Sequence, residues 1–498
     1  MTGMTGWPAQ PVVYEINTMI WLGELSRRQG RRVTLGDVPA GDWDEVALSG
    51  VDAVWLMGVW QRSPAGLRMA LRNTDLQASF RDALPDLGAG DVAGSPYCVR
   101  GYVADEALGG PDGLAAARAE LARRGVRLLL DYVPNHVAPD HPWLAEHPEY
   151  LVQGGPEDLA RSPEAFLAAA GHVFANGRDP YFPPWPDVVQ LNAFSEQLRT
   201  ATVDTLVSIG DQSDGVRCDM AMLLLADVFG KTWGDRAGAA PAEDFWAHVI
   251  ARVRQRHPDM LFLAEAYWDL EWALQQQGFD YCYDKRLYDR LLHEGAGSVR
   301  GHLLADIAYQ RRLVRFLENH DEPRAAATMP SDKQRAAAVT IATLPGATLW
   351  HEGQFEGRRV RPPVFLTRRP PEPLDGELRG FHHRLLAAVH SAGMRSGRWQ
   401  LLDAQGWPDN PTHHNLLAWC WTDGERRHAV VVNASDAPAQ GRLPLPWPEL
   451  RGRPWRLVDL LADTSYERDG AELLDPGLFV ALDGWRWHLL SLHPSTDR

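Results

Sequence analysis

Short apolar runs alternate along the chain with longer stretches in which apolar residues recur every three or four positions. That beat predicts strands and amphipathic helices in turn. Val12–Ile16 and Val51–Leu56 are the first two runs, and Val126–Leu130 is the third. Gly215–Cys218, Met260–Ala264, Phe279–Tyr283, Leu313–Leu317 and Ala347–Trp350 follow. Between them, helical spacing covers Leu114–Arg124, Glu196–Ile209, Phe245–Arg256 and Phe381–Ala392, and a shorter amphipathic stretch runs through Trp43, Val46, Ala47 and Leu48. Pro111-Asp112-Gly113 is a start signal for the first of the long helices, and Gly125 stops it. Eight strands with intervening helices predict the α/β class, as a (β/α)8 TIM barrel.

The beat fails in two places. After His136 the chain turns rich in Pro, Gly and aromatic residues, including Tyr181-Phe182-Pro183-Pro184-Trp185-Pro186-Asp187, which reads as an insertion after strand 3. From about Thr412, strand-like runs with turns between them replace helices: Leu416–Trp421, Ala429–Asn433, Trp455–Leu460 and Trp485–Ser491. These predict a C-terminal antiparallel β domain. The expected division is a barrel over residues 1–136 and 201–405, an inserted domain over 137–200 and a β domain over 406–498. There is no internal repeat or low-complexity tract.

Composition adds exclusions. At 498 residues the chain is long enough for two or three modules and a large core. A net charge of −15 argues against broad nucleic-acid or anionic-membrane binding. No apolar stretch reaches the length of a membrane span. Cys98, Cys218, Cys282 and Cys420 form neither a CxxC nor a Cys/His zinc spacing. The opening MTGMTGWPAQP lacks a basic region followed by an apolar run, so no signal peptide is expected and the expected location is cytoplasmic. Twenty Trp suit sugar stacking, although most Trp side chains in proteins are simply core.

The chemistry lies where predicted strands end. Four polar segments stand there: DYVPNH at Asp131–His136, DGVRCDM at Asp214–Met220, AEAYWD at Ala264–Asp269 and FLENHDEPR at Phe316–Arg324. A lone carboxylate at one strand end is more often a cap or a loop ion pair; four such clusters in consistent phase are not. Cleaving a glycosidic bond takes a carboxylic acid to protonate the leaving oxygen and a carboxylate to attack or stabilise the anomeric carbon. Asp219 stands two residues after Arg217, so period-two alternation points both to one face and the guanidinium holds the carboxylate ionised. That suits a nucleophile. Glu265, after the apolar run Leu261–Ala264, is placed for a raised pKa, which suits a general acid/base. His320 and Asp321 could bind sugar hydroxyls, and Asp321 could offset developing positive charge.

These segments resemble, in order, the four signature regions of glycoside hydrolase family 13, the α-amylase family, and the resemblance covers almost the whole chain. It implies Asp219 as nucleophile, Glu265 as acid/base and Asp321 as transition-state stabiliser. It implies that Arg217 positions Asp219, that His136 and His320 bind the sugar in the cleaved subsite, and that Asp131 and Asn135 shape that region. Tyr97 resembles the aromatic that stacks under that sugar, with Tyr102 a second candidate. Arg324 matches a residue common in glucoside-specific members. The insertion corresponds to the family's domain B and the last module to its domain C. Retention of the α configuration through a covalent glycosyl-enzyme is likewise implied.

The departures are informative. Met222 and Leu223 stand where many α-amylases carry Lys-His, which argues against a starch endoamylase and removes a position associated with calcium. Cys98 replaces the Asp that often follows the stacking Tyr in exo-acting α-glucosidases. After strand 8, Arg358, Arg359 and Arg361 suit either an anionic acceptor or ion pairs to acids such as Glu352 and Glu356. No cofactor is expected; the family admits calcium, but no ligand cluster here compels it. The expected partner is an α-linked oligosaccharide or small glucoside, with no nucleic acid, no membrane and the oligomeric state open. Hydrolysis is the default; transfer to a sugar or to phosphate uses the same carboxylates. A non-catalytic scaffold is the third reading, disfavoured because every carboxylate is retained.

Overall fold

The computed structural model describes residues 6–495, so the outermost ends of the expected first and last modules lie outside it. Eight parallel strands close a barrel: β1 (Val12–Asn17), β2 (Ala53–Met57), β3 (Arg127–Tyr132), β4 (Gly215–Cys218), β5 (Leu261–Ala264), β6 (Tyr281–Tyr283), β7 (Leu313–Arg315) and β8 (Ala347–His351). Each pairs with its neighbour in sequence, and β8 returns to β1. The fold is therefore the (β/α)8 barrel expected from the alternation.

Period-two alternation sorts each strand between two cores. One set, Tyr14, Ile16, Val54, Leu56, Leu128, Leu130, Val216 and Phe262, belongs to the large apolar cluster shared with the surrounding helices. The other set, Val13, Ala53, Trp55, Leu129, Leu261, Leu263, Val314, Phe316, Ala347 and Leu349, fills the barrel. Following the second set toward the carboxyl ends, the residue type changes. Val13 leads to Glu15, Leu129 to Asp131, Leu263 to Glu265, Phe316 to Glu318 and His320, and Leu349 to His351. An apolar plug therefore lies beneath a charged top layer. Register holds that layer together, since Arg217 pairs with both Asp131 and Leu263.

Two excursions interrupt the barrel. Between β2 and β3, strands Trp60–Arg62 and Val99–Ala104 pair antiparallel, with helices Pro64–Arg72 and Thr74–Ala83 between them. Sequence patterning did not separate this excursion from the barrel. After β3, His136–Val137 pairs with Val189–Gln190, and Gln153–Gly154, Phe166–Ala169 and His172–Ala175 form a small sheet. A compact apolar group including Val137, Leu144, Phe174 and Val189 supports this second excursion. Helix Glu196–Gln212, capped by the Ser195 side chain, returns the chain to β4, so its first turn begins ahead of residue 201.

The C-terminal sheet is antiparallel, with strands β9 (Arg398–Leu402), β10 (Leu416–Asp423), β11 (Arg426–Asn433), β12 (Pro454–Asp459), β13 (Thr464–Asp469) and β14 (Trp487–Pro494) in the order β9-β10-β11-β14-β12-β13. β9 already pairs into this sheet, ahead of residue 406. One face (Leu417, Trp419, Trp421, Val430, Val432, Leu489) joins the barrel's outer core. The other builds its own core with the hairpin Ala439–Leu443 and Leu478–Leu482.

Candidate active site

Arg217 organises the top layer. Its guanidinium is fully buried; Nη1 donates to Asp219 Oδ1 at 2.7 Å, Nη2 donates to Glu265 Oε2 at 2.7 Å, and Asp131 Oδ1 lies 3.6 Å from Nη1. Trp55, Tyr97 and Tyr283 present ring faces to it, with centroids 5.2, 5.4 and 5.8 Å away. One residue of β4 thus holds carboxylates from β3, β5 and the end of β4 itself.

Asp219 and Met220 follow β4 immediately. Met220 adopts a left-handed conformation (φ 41°), uncommon without glycine, and its N–H donates to Glu265 Oε2 at 2.7 Å. Glu265 Oε1 accepts from the Tyr267 hydroxyl at 2.7 Å. Asp131 is fixed from the side of β2: its Oδ2 accepts from the N–H of Gly58 at 3.0 Å. Gly58 has φ 80°, and a Cβ there would come 2.8 Å from Pro96, so the turn that delivers this donor requires glycine.

His320 and Asp321 complete the cluster. His320 Nε2 lies 2.7 Å from the Tyr97 hydroxyl and 2.9 Å from Asp321 Oδ2, and Nδ1 bonds Glu15. The imidazole stacks on Tyr97 (centroids 5.3 Å, 21°) and meets the edge of Trp55. Asn319 Oδ1 caps the turn by accepting from the N–H groups of Asp321 and Glu322. Asp219 and Glu265 side chains are 10% and 4% exposed against 46% for Asp321, so Asp321 forms the open lip.

Electrostatics separate the three carboxylates. Burial raises Glu265 to about 7, helped by the charges of Asp219 and Asp321 and opposed by Arg217. Burial also raises Asp219, against the pull of Arg217. The expected guanidinium is in place and favours the ionised form, but desolvation outweighs its effect on the pKa. Burial acts upward on Asp321 too, but the His320 cation beside it brings its pKa down to about 2. Burial pushes Asp131 up to about 6 and His136 down to about 4.

The remaining expected contacts divide. His136 Nε2 lies 3.2 Å from the Tyr97 carbonyl and its ring meets the edge of Trp185, so it braces Tyr97 from the insertion. Asn135 Oδ1 is taken by Gln190 Nε2 at 2.9 Å. Among the described residues no group of three or more His, Cys, Asp or Glu could hold a metal ion. Tyr102 accepts from the N–H of Val133 and donates to its carbonyl, which makes its hydroxyl a brace for DYVPNH. Arg324 is a correction. It is not brought to this cluster; its Nη1 donates to Glu318 Oε1 at 2.6 Å and to the Glu352 carbonyl at 2.8 Å, with His351 Nδ1 at 2.9 Å. Ion pairing beneath the rim, to an inward carboxylate the motif comparison passed over, claims its charge.

Of the three loop arginines only Arg358 is ion-paired among the described residues, and to a different acid; the other two donate to backbone carbonyls. Arg358 faces Glu24 at 3.7 Å, Arg359 donates to the Ala326 carbonyl and Arg361 to the Asp321 carbonyl. Sequence reasoning missed Glu15 and Tyr267. Glu15 was legible as a charge in an otherwise apolar strand. Tyr267, at two positions past Glu265, carried no signal beyond its place. It also missed Trp268, which with Asp269 is left-handed (φ 64° and 62°) and meets the exposed Tyr181 of the insertion edge-on at 4.8 Å.

No protein-family model matches the chain. Individual proteins do. The α-amylase MalA of Haloarcula japonica is 25% identical over 457 residues, 88% of this chain and 57% of that protein. The chain is similar to the α-amylase family. An α-1,4-glucan:maltose-1-phosphate maltosyltransferase of Streptomyces coelicolor is 29% identical over 241 residues, 48% of this chain and 30% of that protein. The chain thus spans little more than half of the first relative and less of the second. Among solved structures, the noncanonic maltogenic α-amylase AmyB of Thermotoga neapolitana superposes with a TM-score of 0.68 at 18% identity, covering 97% of this chain and 98% of its own. That likeness concerns the fold.

Proposed function

We propose that the protein is a retaining α-glycosidase that hydrolyses α-glucosidic bonds of small glucosides or short α-glucans. The observation that carries this reading is the single guanidinium of Arg217 bonded to both Asp219 and Glu265. Two carboxylates on adjacent nitrogens of one planar group stand close together, which favours direct attack over an interposed water. Asp219 Oδ1 takes the Arg217 bond, leaving Oδ2 for the anomeric carbon. Glu265 Oε2 already accepts two N–H donors, so the transferable proton belongs on Oε1, where Tyr267 stands. As the leaving oxygen takes that proton, Asp219 forms the glycosyl ester. Asp321, ionised by its His320 partner, offsets the positive charge that develops on the ring. Water activated by the Glu265 carboxylate then releases the sugar.

Transfer of the glycosyl unit is the second reading, and it draws on the relatives named maltosyltransferases. The covalent intermediate is common to both, and the acceptor that reaches it decides. A cytoplasmic location belongs to the proposal as well; the four cysteines are free and buried, and no helix among the described residues is long and apolar enough to cross a membrane.

The test is incubation of the purified protein with α-linked disaccharides and maltooligosaccharides, with and without phosphate or an added acceptor sugar, products being separated by chromatography. Glucose or short oligosaccharides are expected, and Asp219→Ala is expected to reduce turnover by a factor on the order of 10^4. Wild-type turnover in that variant would remove Asp219 from the nucleophile's role. New glycosides or sugar phosphates in place of free sugar would decide for transfer.

A further inference from the structure

A cavity of about 820 Å³ opens between the end of helix Gly376–Ser391 and the C-terminal sheet. The helix follows β8 and runs back toward the amino ends of the strands, so this cavity lies on the face of the barrel opposite the carboxylates. Strand alternation builds one wall. His428 of β11 pairs with Ser491 of β14. Arg426 and His493 stand two positions along from each, on the same side of the sheet. Further along this side, Val430 and Leu489 are buried against the barrel, so the polar residues form the open margin of an otherwise apolar seam.

Three observations make this margin more than a solvated edge. His428 is 4% exposed, and neither ring nitrogen has a hydrogen-bond partner, although the Ala392 carbonyl lies close by. Even with that carbonyl taking one N–H, the buried imidazole keeps a ring nitrogen without a partner, which is uncommon in folded proteins and asks for a ligand. Arg453, packed over Trp455 at 4.7 Å, has no carboxylate partner among the described residues. Arg426 has none either, and its Nη1 lies against Gly393 at the end of the helix, so it reaches across the cavity. Arg426 also meets the negative end of that helix, which accounts for part of its placement; Arg453 has no such partner. Of the two acids in the lining, Glu449 is bonded by Arg427 at 2.8 Å and Glu425 is open. Two free guanidiniums against one free carboxylate leave the cavity cationic.

We infer that this seam is a binding site for a small phosphate ester, whose phosphate is held by Arg426 and Arg453 while His428 hydrogen-bonds one of its remaining oxygens; His493 already bonds the Ser491 hydroxyl through Nε2. Guanidinium groups match phosphate oxygens bidentately, and the volume is that of a small-molecule site. The site is independent of the hydrolytic reading, because it shares no residue with the carboxylate cluster.

The test is titration calorimetry with glucose 6-phosphate, inorganic phosphate and glucose, on the wild-type protein and on Asp219→Ala. Saturable sub-millimolar binding of glucose 6-phosphate, unchanged in Asp219→Ala and absent for glucose, is expected. The double variant Arg426→Ala/Arg453→Ala, checked by circular dichroism for an intact fold, is expected to bind at least about tenfold more weakly. His428→Gln, which keeps a donor and an acceptor, is expected to retain more affinity than His428→Phe. Inorganic phosphate binding as tightly as glucose 6-phosphate would overturn the ester part of the inference and leave an oxyanion site. No saturable binding of either anion, or equal affinity in a folded double variant, would overturn it altogether.

Discussion

Glu265 carries three donors, yet burial raises it to about 7. A donor to a carboxylate favours the charged form, so each of the three opposes the protonation that a general acid needs. Removing the Tyr267 hydroxyl therefore shifts Glu265 upward. Activity that requires protonated Glu265 falls as pH rises through about 7. In Tyr267→Phe the alkaline limb of kcat/KM is expected to move to higher pH, while the acid limb, set by ionisation of Asp219, stays in place. A pH–rate profile of the two proteins checks this, and a uniform drop with no displacement would mean that Tyr267 serves only packing. Arg324 makes a different residue-scale prediction. It and Glu318 are both without side-chain exposure, so Arg324→Ala strands a buried carboxylate and is expected to destabilise the fold by roughly 3–5 kcal/mol in urea denaturation. Glu318 is buried, which raises it, but Arg324 and His351 bring its pKa below the usual Glu value. Its contribution is thus present above the ordinary Glu range and lost as pH falls through the lowered value.

At the scale of elements, what was legible follows from period. Gly215–Cys218 and Phe245–Arg256 stand in the structure as the sequence predicts them, because each is short, apolar in one phase and bounded by Asp or Pro/His breakers. The excursion between β2 and β3 escaped because Val99–Ala104 is only half-buried and carries no run of apolar residues. The strands of the last sheet that were missed, β9 and β13, alternate with charge at its two edges. Motif residues at strand ends were legible wherever one strand supplies them; Glu15 acts across the barrel, and only the fold brings it to His320, whereas Tyr267 stands two positions past Glu265 in the same segment. The start of β8 shows an element depending on one atom. Gly346 has φ 102°, and a Cβ there would run into the Leu313 carbonyl oxygen of β7 and lie 2.9 Å from that of Gln310. Gly346→Ala is expected to cost roughly 2–4 kcal/mol, from strained backbone and overpacking together, read as a lower urea midpoint with an unchanged slope.

The whole molecule turns on how the last sheet meets the barrel. Helix Ser331–Thr343 is buried on all sides from Ala336 onward, barrel strands on one side and the C-terminal sheet on the other. Trp421, 1% exposed, donates its indole N–H to the Thr343 carbonyl at 2.8 Å at the end of that helix, satisfying an acceptor that the helix itself leaves open. Trp419, Val430, Val432 and Leu489 continue the contact without a polar break. An interface of this kind is a shared core, not a docking of two finished domains, so the barrel does not end where its eighth strand ends. A chain stopped at residue 396 would leave the buried turns of this helix, from Ala336 onward, with one side in water. It is expected to lose near-UV circular dichroism, bind a hydrophobic dye and show no turnover, although all three carboxylates remain in the chain. Trp421→Phe separates the two parts of the contact. It keeps most of the ring's packing and removes one hydrogen bond, so a loss of about 1–3 kcal/mol with turnover retained is expected. A folded, active 1–396 fragment would show that the sheet merely covers a barrel that is complete without it.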